Sequence, residues 1–196
     1  MQEILIILFS TILVNNFVLS KFLGICPFLG VSKKLDSAVG MGIAVVFVMV
    51  LASVFTWPIF TLVLLPNGLE YLSTIVFVLV IASLVQLVEI VVRKYVPALY
   101  RQLGVFLPLM ATNCAILGVA ILNITDNLGY LQSIANAIGG GVGFLLAMVM
   151  FAGVRKRMES GVFSKSFQGM PITLIAASIV ACSFMGFGGV VEGIFG

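Results

Sequence analysis

Apolar residues run through this chain in long blocks, and short polar stretches separate them. Six blocks approach or exceed the roughly 20 helical residues that cross a bilayer: 4–31, 38–64, 71–92, 102–123, 131–154 and 171–193. The pattern predicts an all-α integral membrane protein of six transmembrane helices joined by short loops. The first block is too long for a simple span. At 1.5 Å per residue its helix would reach roughly 40 Å, against a hydrocarbon core of ~30 Å. Asn15, Asn16, Lys21, Gly24 and Pro27 also interrupt it. A broken helix fits better than a long tilted one with a kink, with a short second piece carrying Cys26 that lies against the first or returns to the cytoplasmic face. The fourth block repeats the theme, with Pro108 ahead of Thr112, Asn113 and Cys114 near mid-depth.

Charge orients these spans. Of ten Lys and Arg, all but Lys21 fall after spans one, three and five: Lys33, Lys34, Arg93, Lys94, Arg101, Arg155, Lys156, Arg157 and Lys165. The segments Pro66–Glu70 and Asn123–Tyr130 carry none. Because basic loops stay cytoplasmic, both termini are expected on the outer side of a bacterial inner membrane. Composition agrees: 62% of residues are hydrophobic and 9% charged, where a soluble domain has about 25% charged. A soluble enzyme is excluded. The pI near 8.9 reflects loop cations rather than a nucleic-acid surface. The absence of His rules out histidine metal sites and histidine acid–base chemistry. The start of the chain, with Glu3, no basic residue and no small-residue cleavage site, is not expected to act as a cleavable signal peptide.

The two halves resemble each other about 99 residues apart. Ala38–Ile43 (AVGMGI) matches Ala137–Val142 (AIGGGV), and Thr74–Ser83 parallels Thr173–Cys182. Leu13–Asn16 lies opposite Met110–Asn113. Three spans per half is odd, so the second half is inverted. The expectation is a single membrane domain, 1–196, built from inverted repeats of about 1–100 and 101–196, with spans one and four broken. Such repeats place functional sites near the midplane, at the ends of half-helices.

Cys26 and Cys114 sit on those two broken elements. A cysteine in a span is often a small buried apolar residue. A thiolate, however, holds a soft metal, an iron–sulfur cluster above all. Two thiolates are half the usual set, so on this reading a partner chain supplies the rest. The third cysteine, Cys182, has no polar break beside it and reads as packing.

The stretch Asn15–Lys34 (NNFVLSKFLGICPFLGVSKK) resembles the first membrane motif of the RnfA/NqrE family, and Leu107–Gly118 (LPLMATNCAILG) resembles the second. Glu89–Leu103 and Phe167–Pro171 are similar as well, so the likeness covers essentially the whole chain. The CPFLGVSKK and FQGMP segments are closer to the Rnf branch than to the Nqr branch. The resemblance implies a membrane subunit of an ion-translocating ferredoxin:NAD oxidoreductase. It further implies a [2Fe–2S] cluster shared with a homologous inverted (RnfE-like) subunit, with Cys26 and Cys114 as this chain's two ligands. Subunits of the B, C, D and G types would be the other partners, and Na+ or H+ the translocated ion. No Rossmann fingerprint, multi-cysteine ferredoxin motif or flavinylation sequence is present, so nicotinamide and flavin are expected on other subunits. The alternatives are an NqrE-type subunit of a Na+-translocating NADH:quinone reductase, or a secondary transporter, which broken helices and inverted repeats also describe.

Other polar residues carry two readings each. Asn16 and Asn113 cap half-helices and bond between helices, or they shape the surroundings of the cluster. Lys21 snorkels to an interface, or it offsets a thiolate-ligated cluster's negative charge. Glu89, with Gln86 three residues before it, is an ionisable group inside a span and so a functional candidate. It lines a cation path, or it pairs with Arg93 one turn on. Gly139–Gly141 lacks the strand and Lys-Ser/Thr of a phosphate loop and reads as close helix packing.

Overall fold

The computed structural model describes residues 8, 11–12, 16–32, 35–95, 110, 112–159, 161 and 169–195, and among these there is no strand. Six helices follow in order: α1 (Ile25–Val31), α2 (Leu35–Ile59), α3 (Ser73–Tyr95), α4 (Cys114–Thr125), α5 (Tyr130–Glu159) and α6 (Met170–Phe195). A wider π turn, Phe60–Leu64, extends α2 just beyond Pro58. Leu8, Thr11, Ile12 and Met110 are also helical. Glu3, Asn15, Lys33, Lys34, Arg101, Pro108, Lys165 and the Phe167–Gln168 part of the last motif lie outside the described residues.

Among the described residues, three stretches are long and apolar enough to cross a membrane: Leu35–Leu64, Glu70–Tyr95 and Tyr130–Met158. Burial explains how they stand together. On α3 only the stripe Phe77, Ile81, Val85 and Val88 is buried, at helical spacing. Leu79, Leu87 and Ile90 on the same helix face outward, as do Phe47, Phe55, Leu131 and Ile179 elsewhere. An apolar surface that extensive is untenable in water. It is the normal outer face of a bundle in lipid, where small residues and hydrogen bonds hold helices together.

Glycines set the central crossing. A Cβ added at Gly42 would collide with Leu145, and one at Gly141 would lie 3.0 Å from the Val46 Cα. Rising positions on α2 meet falling positions on α5, so the two helices cross antiparallel at close range. Leu8 and Thr11 pack against Gly139, and Gly143 faces the carbonyls of Thr11 and Ile12. The glycine run in α5 therefore serves helix packing, as its sequence context indicates.

Hydrogen bonds define the two ends of the bundle. At one end Arg155 Nη1, near the end of α5, donates to Leu29 O at 2.7 Å and Ser32 Oγ at 3.0 Å. Arg93 and Lys94 close α3 at this same end. At the other, Trp57 Nε1 donates to Leu128 O at 3.0 Å, and the turns after α2 and α4 carry Glu70 and Asp126 but no described cation. Among the described residues, Arg93, Lys94, Arg155, Lys156 and Arg157 thus lie toward one end, with Lys21 apart from them.

Candidate functional site

Both breaks are built by asparagine. Asn16 Oδ1 accepts from Val18 N at 3.1 Å, and Asn113 Oδ1 accepts from Ala115 N at 3.1 Å. Asn113 is the N-cap of α4, with extended backbone angles suited to that position. Asn16 also donates through Nδ2 to Gly143 O at 2.8 Å, tying the first break to α5. Between Asn16 and α1 the chain makes turns, closed by Ser20 N to Asn16 O and Leu23 N to Phe17 O. Backbone polar groups this deep in a bundle must find internal partners, and these bonds supply them.

The turn ends in two left-handed residues, Phe22 (φ 55) and Gly24 (φ 82). Such angles are ordinary for glycine and costly for a bulky side chain. They reverse the chain into α1, where Pro27 sits in the first turn and requires no N–H partner. The proline therefore helps to start the second piece instead of interrupting it.

Gly24 brings the two motifs together. Its N–H donates to Cys114 Sγ at 2.9 Å. Cys26, two residues beyond Gly24, is the second residue of α1, and Cys114 is the first residue of α4. Both thiols are exposed. Cys114 stands a 12-residue helix away from the turn at Asp126, roughly 17 Å at 1.5 Å per residue. That is about half the thickness of a ~30 Å hydrocarbon core. Among the described residues no three Cys, Asp or Glu side chains gather as a metal site. The donors are two exposed soft sulfurs at the starts of α1 and α4, with the Gly24 N–H bonded to one of them. Such a pair fits half of an iron–sulfur cluster closed from outside the chain, and it would not complete a metal site by itself.

The remaining candidates take separate places. Lys21 is exposed, its Nζ 5.9 Å from the centroid of the Phe17 ring. On α3, Glu89 is half-buried and Gln86 exposed. Glu89 stands 16 residues into its helix, roughly 24 Å along it, so it lies closer to the basic end than Cys114 does. Cys182, read as packing, is instead exposed on α6.

A buried polar chain is not evident from the sequence. Thr11 Oγ1 donates to Asn136 Oδ1 at 2.9 Å, and Asn136 Nδ2 to Asn123 Oδ1 at 2.7 Å. Asn123 Nδ2 donates to Ser53 Oγ at 3.1 Å, and Ser53 Oγ to Ser133 O at 3.1 Å. It joins the first segment to α2, α4 and α5, on the side of the cysteines toward the turns that follow α2 and α4. Asn123, at the end of the fourth apolar block, lies inside α4 and is 3% exposed. The available signal is two asparagines and a serine inside apolar helices, residues that glue membrane helices.

A close-packed bundle with its polar groups turned inward and an apolar exterior defines a polytopic helical membrane protein. The comparisons with known proteins make this specific. The family described as "Rnf-Nqr subunit, membrane protein" matches residues 4–191. The chain is 56% identical over 193 residues to the A-type subunit of the ion-translocating oxidoreductase complex of Syntrophotalea carbinolica, covering 98% of this chain and 100% of the relative. It is 52% identical to the A-type subunit of the Na(+)-translocating ferredoxin:NAD(+) oxidoreductase complex of Acetobacterium woodii (96% and 98% covered). It is 53% identical to the corresponding ion-translocating oxidoreductase subunit of Yersinia enterocolitica (98% and 100% covered). The chain belongs to the Rnf-Nqr family of membrane subunits, and within it to the RnfA type.

Proposed function

We propose that the chain is a non-autonomous subunit of an ion-translocating ferredoxin:NAD oxidoreductase in the bacterial inner membrane, and that Cys26 and Cys114 hold half of an intramembrane [2Fe–2S] cluster. The observation that carries this reading is the Gly24 N–H to Cys114 Sγ bond at 2.9 Å, which ties the segment leading into Cys26 to Cys114, and both thiols are exposed. A homologous inverted subunit of the E type supplies the other two thiolates. Subunits of the B, C, D and G types carry the flavin and nicotinamide chemistry. A cluster bound here supplies one-electron transfer. The chain's own part is to fix the two sulfurs, exclude water and keep polar donors close to them. The six-span inverted repeat is part of the proposal. Its support is that the Gly42–Leu145 and Val46–Gly141 contacts exchange with each other under the sequence offset of about 99.

On this reading the basic end is cytoplasmic and both termini are outside. A reporter fused after Lys156 should behave as cytoplasmic and one at the C-terminus as external, and the opposite result would reverse the orientation. Electron transfer couples to Na+ or H+ movement, and Glu89 with Gln86 lines the cytoplasmic side of the cation path, since a hard cation needs oxygen ligands. Glu89→Gln should then leave the cluster assembled while uncoupling ion uptake from electron transfer, both measured in vesicles of the complex. Unchanged uptake with a modest loss of stability would reduce Glu89 to an ion-pair partner of Arg93.

A further inference from the structure

The two break-forming asparagines are not equivalent. Each accepts a backbone N–H two residues on, with the same geometry. Asn16 spends its amide hydrogens on Gly143 O. Asn113 is 3% exposed, and its Nδ2 is the one buried side-chain nitrogen or oxygen among the described residues with no hydrogen-bond partner. Leaving such a donor unmade costs about 1–3 kcal/mol, and native proteins rarely tolerate it without a reason. The orphan sits directly before Cys114. Its Oδ1 lies 3.2 Å from where a Gly24 Cβ would stand, so the amide occupies the gap between the two cysteine motifs.

We propose that Asn113 Nδ2 is a donor reserved for a sulfur of the group held at Cys26 and Cys114, and that it positions that group electrostatically. This rests on the cluster reading above. A donor to sulfur favours the more negative, reduced state and raises the reduction potential. Asn113 is thus a positioning residue, not a ligand, and its repeat counterpart Asn16 is a structural staple.

The test is a redox titration of the intramembrane cluster, followed by electron paramagnetic resonance in the purified complex. Asn113→Ser keeps an N-cap acceptor of similar strength and deletes the amide donor. At a fixed ambient potential near the midpoint, the reduced-to-oxidised ratio should fall about tenfold, equivalent to about 59 mV for one electron. Asn16→Ser should weaken the fold and leave the potential in place. A cluster present in Asn113→Ser at the unsubstituted potential would overturn the inference while leaving the ligand assignment intact. A cluster that persists in Cys114→Ala would overturn the ligand assignment itself. If Asn113→Ser fails to accumulate, 15N labelling of asparagine side-chain amides in the unsubstituted complex decides. A 15N hyperfine coupling on the reduced cluster is expected, and its absence rejects the proposal.

Discussion

Replacing Cys26 or Cys114 with Ala should abolish the intramembrane cluster signal and stop electron flow through the assembled complex, whereas Cys182→Ala should change neither. The expected loss is complete because a cluster needs four ligands and a methyl group offers none. Exposure alone does not distinguish the three cysteines, since all are exposed. What separates them is position. Cys114 accepts from Gly24 N, and Cys26 follows Gly24 by two residues at the start of α1. Cys182 lies inside α6, with no break in the helix beside it. Iron and acid-labile sulfide content, measured with the resonance signal, reads the result directly. A normal cluster in Cys26→Ala would remove that residue from the ligand set.

Gly24→Ala should be nearly as damaging, although it removes no ligand. The left-handed conformation (φ 82) penalises any Cβ, by about 1–2 kcal/mol. The added carbon would also lie 2.9 Å from Phe144 Cε2 and 3.0 Å from Ala115 Cβ, and overpacking costs about 1–3 kcal/mol. Together the loss is roughly 2–5 kcal/mol. To relieve the contacts the segment must move away from α4, carrying Cys26 away from Cys114. Gly68→Ala is the control. Gly68 is left-handed as well (φ 64), but its Cβ would meet nothing within 4 Å, so it bears the conformational penalty alone. Thermal stability in detergent and cluster content should both drop for Gly24→Ala, and only stability, by a smaller amount, for Gly68→Ala. Equal behaviour of the two variants would mean that the Gly24 contacts carry no weight.

The long helices are legible in the sequence because lipid imposes a length and a polarity that short loops punctuate. Span 38–64 corresponds to α2 with its π turn, span 71–92 to α3, and span 171–193 to α6. The ends drift where hydropathy stops but the backbone does not: α5 continues through Arg155, Lys156 and Arg157 to Glu159, well past the apolar block ending at 154. The breaks at Asn16–Gly24 and Thr112–Asn113 are legible from glycine and asparagine, whose backbone preferences are local. Pro27 differs from its sequence expectation because its effect depends on register. It is harmless in the first turn of a helix and disruptive one turn later. The sequence could not show that all three cysteines are exposed, nor that Asn123 and Asn136 bond to each other, because these depend on how the helices pack.

The bond from Asn16 to Gly143 spans 127 residues of sequence, and synthesis must cross that interval before it can form. At about 5–20 residues per second the wait is roughly 6–25 s. During it, the first half has left the ribosome with the Asn16 amide lacking its acceptor and the Gly42 face of α2 lacking α5. Lipid offers neither group a substitute. Local bonds can shape the first break as span one enters the membrane, but its tie to Gly143 cannot yet form. It is completed only after α5 arrives, and until then the nascent chain needs shelter from lipid at the insertion site.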